Sequence, residues 1–242
     1  KDELVATVSH ELRTPLTSIK GALGLIRSGA AGDVTKKTSD LLDIAYRNAD
    51  RLVLIVNDIL DLEKMAAGQM DYDIARRDLV QTVKEAVTAN EGFARRFDVS
   101  INLNTDDEPA WADFDADRIH QVLSNLISNA CKFSSTGAQI DVNVERRPKS
   151  FAVCVVDRGV GIPSGAVERI FDRFTQVGKS ARARSGGTGL GLSIVKSIIE
   201  SHNGTVELTS VEGQGTTVTV VFPRATNTAT PANLIRSAGG KT

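Results

Sequence analysis

The chain has 242 residues, room for one large domain or two modest ones, and its 41% apolar and 24% charged content is that of an ordinary globular protein. Its 29 basic and 30 acidic residues leave a formal charge of -1, so nothing calls for nucleic acid or an anionic membrane as a partner. No apolar run approaches the ~18 residues of a spanning helix, and the given residues do not read as a signal peptide.

The chain starts directly before a helical pattern, which reads as a piece of a longer protein with its sensor, and any membrane segment, upstream. Residues 2 to 28 carry Leu4, Val8, Leu12, Pro15, Ile19, Leu23 and Ile26 at steps of three and four. Residues from about 36 to 67 repeat this with Leu41, Ile44, Ala45, Leu52, Ile55, Val56, Ile59 and Leu62. Such spacing predicts two amphipathic helices, and Ser28-Gly29-Ala30-Ala31-Gly32-Asp33 between them predicts an antiparallel hairpin. One hairpin cannot bury so wide a stripe. Two hairpins pairing into a four-helix bundle would bury it, and so would packing against the downstream domain.

After Ala67-Gly68-Gln69 the pattern changes. Helices are predicted over Leu79 to Phe93, over Asp115 to Phe133 with Asp115 as cap, and over Leu192 to Ser201, closed by Asn203-Gly204. Strands are predicted over Val99 to Leu103, near Trp111, over Ile140 to Glu145, over Phe151 to Val156, and as a hairpin of Val206 to Thr209 with Thr216 to Phe222. Helices mixed with hairpins indicate an α+β sandwich. Past Ala225 the composition is that of a disordered tail or linker. Cys131 and Cys154 sit in apolar stretches without metal-ligand spacing and read as reduced core residues.

Three segments carry chemistry. The first is Ser9-His10-Glu11-Leu12-Arg13-Thr14-Pro15-Leu16. At ~100° per residue His10 lies ~160° from Val8 and Leu12, off the apolar stripe and towards solvent. An exposed imidazole with an ordinary pKa near 6.5 is neutral at pH 7 and nucleophilic. Glu11 can hold its other ring nitrogen, and Thr14 shares its face. Pro15, inside a helix, costs ~3 kcal/mol and kinks the axis.

The second segment is Asn125-Leu126-Ile127-Ser128-Asn129-Ala130-Cys131-Lys132-Phe133, where Asn125 and Asn129 share a helix face. Amide oxygens suit a hard ion such as Mg²⁺. The third comprises the glycine clusters Asp157-Arg158-Gly159-Val160-Gly161-Ile162, after a strand, and Gly187-Thr188-Gly189-Leu190-Gly191-Leu192, before a helix. Backbone amides at that helix start make an anion cradle. A dinucleotide fingerprint is excluded by Ile194, and a Walker motif ending in Gly178-Lys179-Ser180 is excluded by Arg173.

Taken in order, these segments resemble the sensor histidine kinases of two-component systems, over roughly residues 2 to 224. The resemblance implies a dimerisation and histidine-phosphotransfer domain over 1–67, a linker over 68–76, an ATP-binding domain over 77–224 of the fold shared with gyrase, Hsp90 and MutL (the Bergerat fold), and a tail over 225–242. It makes His10 the phosphoacceptor, with Glu11 assisting and Thr14 orienting water when the partner is dephosphorylated. It gives Asn129 the metal, Lys132 a phosphate and Asp157 the adenine amino group. Asn125, Phe133, Gly159, Gly161, Ile162, Thr188, Gly189, Leu190, Gly191 and Leu192 join them around the nucleotide. Phe171-Asp172-Arg173-Phe174 resembles the family's phenylalanine box, whose rings would anchor a loop. Residues 175 to 188 have the composition of a lid, and Arg182 and Arg184 straddle the place of a phosphate-facing arginine. Relatives that hydrolyse ATP carry a glutamate where this chain has Asn125, and an amide cannot take a proton from water.

The implied reaction is therefore transfer from ATP·Mg²⁺ to His10 and on to a response-regulator aspartate. The implied partners are a second copy, through residues 2–67, and a receiver domain. The implied location is cytoplasmic, attached to a membrane-anchored sensor. The rival readings are a nucleotide-binding phosphatase or scaffold with little kinase activity, an ATP-driven machine like gyrase, and a coiled-coil adaptor.

Overall fold

A computed structural model of the chain describes residues 2–106, 108–175 and 188–225, with side chains from Thr14 onward. Two long helices come first: α1 (Asp2–Arg27), which runs through Pro15, and α2 (Lys36–Ala66). Gly29 and Gly32 take positive φ in the turn between them, and Thr35 caps α2 by accepting from the Thr38 N–H at 3.2 Å. Lys20 pairs with Asp50 across the hairpin at 2.5 Å, and the Arg27 guanidinium lies 4.4 Å from the centre of the Tyr46 ring. The apolar stripe stays partly open in the single chain, with Ile19 50%, Leu41 60% and Ile44 50% exposed. The far end of α2 behaves differently. Leu62 is buried in the core of the second domain, and Ile59 and Met65 pack against that core. Packing against the downstream domain, one of the two fates foreseen for the stripe, is thus seen at the far end of α2.

The second domain contains β1 (Ala75–Asp78), α3 (Leu79–Arg96), β2 (Ser100–Asn104), β3 (Trp111–Phe114), α4 (Ala116–Phe133), β4 (Gln139–Arg146), β5 (Ser150–Asp157), the single turn α5 (Ser164–Val167), α6 (Gly191–Ser201), β6 (Thr205–Val211) and β7 (Gly215–Pro223). Five strands form one sheet in the order β2-β4-β5-β7-β6, and β1 pairs antiparallel with β3 apart from it. The sheet is mixed: β2 runs parallel to β4, and the other pairs are antiparallel. Helices α3, α4 and α6 supply the second layer, and Leu79, Ile127, Ile140, Ile198 and Phe222 are sealed between the layers. Strand β1 begins at Ala75, inside the stretch read from sequence as linker.

Two devices fix α4, the helix that carries both asparagines. Asp115 accepts from the N–H groups of Asp117 and Arg118 at 3.0 and 3.2 Å, satisfying donors the helix start leaves open. Its other oxygen accepts from the Asp73 N–H at 3.0 Å, tying the segment after α2 to α4. Behind it His202, 2% exposed, closes α6. Its Nε2 accepts from the Asp115 N–H at 3.0 Å, so the proton sits on Nδ1, which faces the Ile198 carbonyl at 2.7 Å. The edge of Tyr72 covers the ring at 5.2 Å. Both cysteines are buried and free. None of the described helices is long and apolar enough to cross a membrane.

Candidate nucleotide site

Alternation along α4 does the first sorting. Ile119, Val122, Leu123, Leu126, Ile127 and Ala130 are buried, which leaves Asn125, Asn129 and Lys132 on the rim facing a cavity of 390 Å³. Phe133, at the end of the helix, lines the same space. Opposite stands the loop after β5. The Asp157 Oδ1 accepts from the Gly159 N–H at 2.9 Å, which curls the chain back on itself. The Val160 N–H reaches the Phe133 carbonyl at 3.2 Å, and the Ile162 N–H reaches the Ser210 hydroxyl at 2.8 Å. The loop is therefore pinned to α4 on one side and to the β6–β7 hairpin on the other, with Asp157, Gly161 and Ile162 on the cavity wall.

The third wall is the start of α6. Thr188, Gly189, Gly191 and Leu192 border the cavity, and the Thr188 hydroxyl accepts from the Leu190 N–H at 3.1 Å. Leu190 at its N-cap offers no side-chain hydrogen bond, so among the described residues its first N–H groups remain available to an anion. A Cβ on Gly191 would meet the Asn125 amide oxygen at 3.3 Å; the small residue lets α6 and α4 close together here.

Electrostatics divide the cavity. Burial pushes the Asp157 carboxyl above its usual range, against the opposing pull of the N–H groups of Gly159 and Thr216. Burial also pulls the Lys132 ammonium below its usual range. One end thus holds a desolvated acceptor, and the other holds a half-buried cation beside an uncapped helix start. A base bearing an amino group fits the first end, and phosphates fit the second. The Asn129 amide oxygen between them is a hard donor that fits Mg²⁺ brought in on phosphates.

Gly159 and Leu190, also assigned to the nucleotide from sequence, are not on the cavity wall. Gly159 is packed behind the loop against the Phe133 carbonyl, and the Leu190 side chain belongs to the core. Phe174 does not anchor its loop among the described residues: it is 61% exposed, with φ 62°. Arg182, Arg184 and most of the expected lid lie outside the described residues, as do the side chains of His10 and Glu11. Thr14 is exposed on α1.

Two family models match the chain. Residues 1–68 match the His Kinase A (phospho-acceptor) domain, and residues 114–226 match the histidine kinase-, DNA gyrase B-, and HSP90-like ATPase. Hybrid signal transduction histidine kinase D of Dictyostelium discoideum is 38% identical over 94% of the chain, and the sensor protein kinase WalK of Staphylococcus aureus is 36% identical over 91%. The chain belongs to the sensor histidine kinases.

This kinase core spans 53% of the length of that WalK sequence and 15% of the Dictyostelium protein. Among solved structures it is similar to full-length ShkA in complex with AMPPNP, with TM-score 0.77, 27% identity, and coverage of 94% of this chain and 47% of that one. The catalytic domain of histidine kinase ThkA matches 64% of this chain and 99% of its own, with TM-score 0.55 and 28% identity. The second domain of the core is thus the family's ATP-binding domain.

Sequence reasoning missed several walls of the cavity. Phe93 of α3 reaches it, and Thr216 and Val218 enter from β7. Their spacing was that of core positions, with nothing to mark the few that border a void. It also missed Arg51, Leu54 and Asp58 of α2, which close the phosphate end. Their spacing at steps of three and four was the signal available for these, and it places them on one helix face without saying what that face meets.

Proposed function

We propose that this core is a protein histidine kinase that transfers the γ-phosphoryl group of ATP to His10 and then to an aspartate of a response-regulator receiver domain. The observation that carries the reading is the convergence of Asn129, Lys132 and Asp157 on one cavity, in a chain whose first helix bears His10. Asp157 accepts from the adenine amino group. Lys132 and the start of α6 balance phosphate charge, joined by Arg182 or Arg184 of the lid. Asn129 holds Mg²⁺, whose chemistry is to neutralise charge on the phosphate oxygens. A neutral His10 attacks phosphorus in line; the N–P bond forms as the bond to the leaving ADP oxygen breaks, and Glu11 steadies the ring through its other nitrogen. Asn125 stands in place of a base for water, which favours transfer over hydrolysis. On the same face as His10, Thr14 orients water when the partner is dephosphorylated.

The open stripe on α1 and α2 supports homodimerisation through residues 2–67 into a four-helix bundle. The core works in the cytoplasm as the output end of a membrane-anchored sensor. Labelled ATP tests the reading. Wild type acquires label that is lost in acid, as a phosphoramidate is, and His10→Gln acquires none. Acid-labile label surviving in the variant rejects His10 as acceptor.

A further inference from the structure

Arg51, Leu54, Asp58 and Asp61 recur at steps of three, four and three, so they share one face of α2. The structure turns that face onto the second domain. Asp61 accepts from Arg118 at 3.0 Å and from Gln121 at 3.2 Å, both on α4. Glu63 pairs with Arg173 at 2.6 Å. With Leu62 buried in the core, the docking has an apolar anchor and two polar latches. Arg51, Leu54 and Asp58 then lie over the phosphate end of the cavity.

Asp58 shares the cavity wall with Thr188 and Lys132, and both pull its carboxyl towards the ionised form. Thr188 lies in the glycine cluster before α6, and Lys132 is the residue assigned to a phosphate. A carboxylate held there meets the surroundings a phosphate oxygen would meet. We propose that Asp58 is a built-in occupant of the phosphate subsite, so that docking of α2 on the ATP-binding domain and binding of a nucleoside triphosphate compete. The inference rests on the nucleotide site assigned above and adds α2 to it as a residue set that reads phosphate charge.

The energetics run the same way. Burial, and the like charge of Asp61, push the Asp58 carboxyl up to about 6, against the pull of Thr188 and Lys132. A triphosphate beside it adds further like charge at the same point. Either the carboxylate leaves or the phosphates stay out. If the docked arrangement holds about nine-tenths of the molecules, the apparent affinity for a triphosphate falls about tenfold below its intrinsic value. Adenosine, which carries no phosphate, escapes the conflict.

The test measures dissociation constants of Mg²⁺·AMPPNP and of adenosine on the whole chain, for wild type, Asp58→Asn and Asp58→Ala. Either variant should bind AMPPNP about five- to tenfold more tightly, with adenosine unchanged within about twofold. Unchanged or weaker AMPPNP binding in both variants would overturn the proposal while leaving the nucleotide site intact. Equal tightening of adenosine and AMPPNP would also overturn it, because the effect would then be a wider cavity mouth. A wild-type chain that binds neither compound removes the site itself, and the proposal with it.

Discussion

Asp157→Asn is expected to weaken ATP binding about a hundredfold while making the folded protein more resistant to heat at pH 7. The binding loss follows from donor and acceptor count. The carboxylate accepts from the Gly159 N–H on one oxygen and has the other for an adenine amino group. Asparagine must keep its oxygen on Gly159 to preserve the loop, which turns its NH₂ towards the base. Two donors then face each other, and a buried mismatch of this kind costs ~1–3 kcal/mol. Inosine triphosphate, with an acceptor oxygen in place of the amino group, should lose far less or gain. A variant that treats both nucleotides alike would show that Asp157 does not read the base.

The stability gain follows from linkage. Burial raises the carboxyl above its usual range in the folded state, so the folded chain holds that proton more tightly than the unfolded chain. Ionisation at neutral pH therefore works against folding, and the penalty grows as pH rises from the ordinary carboxylate value through the folded one. A neutral amide avoids it. In thermal unfolding the variant's advantage should grow as pH rises above the ordinary carboxylate range and should vanish below it, where wild type is protonated in both states.

The parts of the molecule legible in the sequence are those whose cause is local. Helix α4 announces itself through Asp115 and the alternation from Ile119 to Ala130, and α1 and α2 through unbroken stripes. Strand β1 does not: Ala75-Arg76-Arg77-Asp78 has no alternation, and it is extended because it pairs with Phe114 to Trp111. The parallel pairing of β2 with β4 left no trace either, since neighbouring strands in a sheet are chosen by the whole chain. His202 is the sharpest case. A histidine after a helix, beside Asn-Gly, looks like a surface residue. Its burial depends on the Asp115 N–H, 87 residues away in sequence, and on Tyr72. The boxes that form the cavity were visible because each needs particular residues at fixed spacing. The α2 wall was invisible because its charges acquire meaning only when the two domains meet.

Gly161→Ala should disable the site by a different route, with loss of nucleotide binding and destabilisation of about 3 kcal/mol or more. Two costs add. Gly161 has φ +64°, and an L-residue pays roughly 1–2 kcal/mol to sit there. The added methyl would also drive into the Val211 carbonyl, so the loop after β5 must lift away from the β6–β7 hairpin. Lifting breaks the Gly213 N–H bond to the Val160 carbonyl at 2.8 Å and the Ile162 N–H bond to Ser210 at 2.8 Å. The part-buried Ile162 N–H, left without its partner, then carries its own penalty. Gly165 provides the comparison, because a Cβ there meets nothing within 4 Å and its φ is unexceptional. Gly165→Ala should bind AMPPNP as wild type does and melt within a degree or two of it. If Gly161→Ala melts and binds like Gly165→Ala, the loop is not held against the hairpin in the way the cavity requires, and Asp157 has no fixed position from which to meet a base.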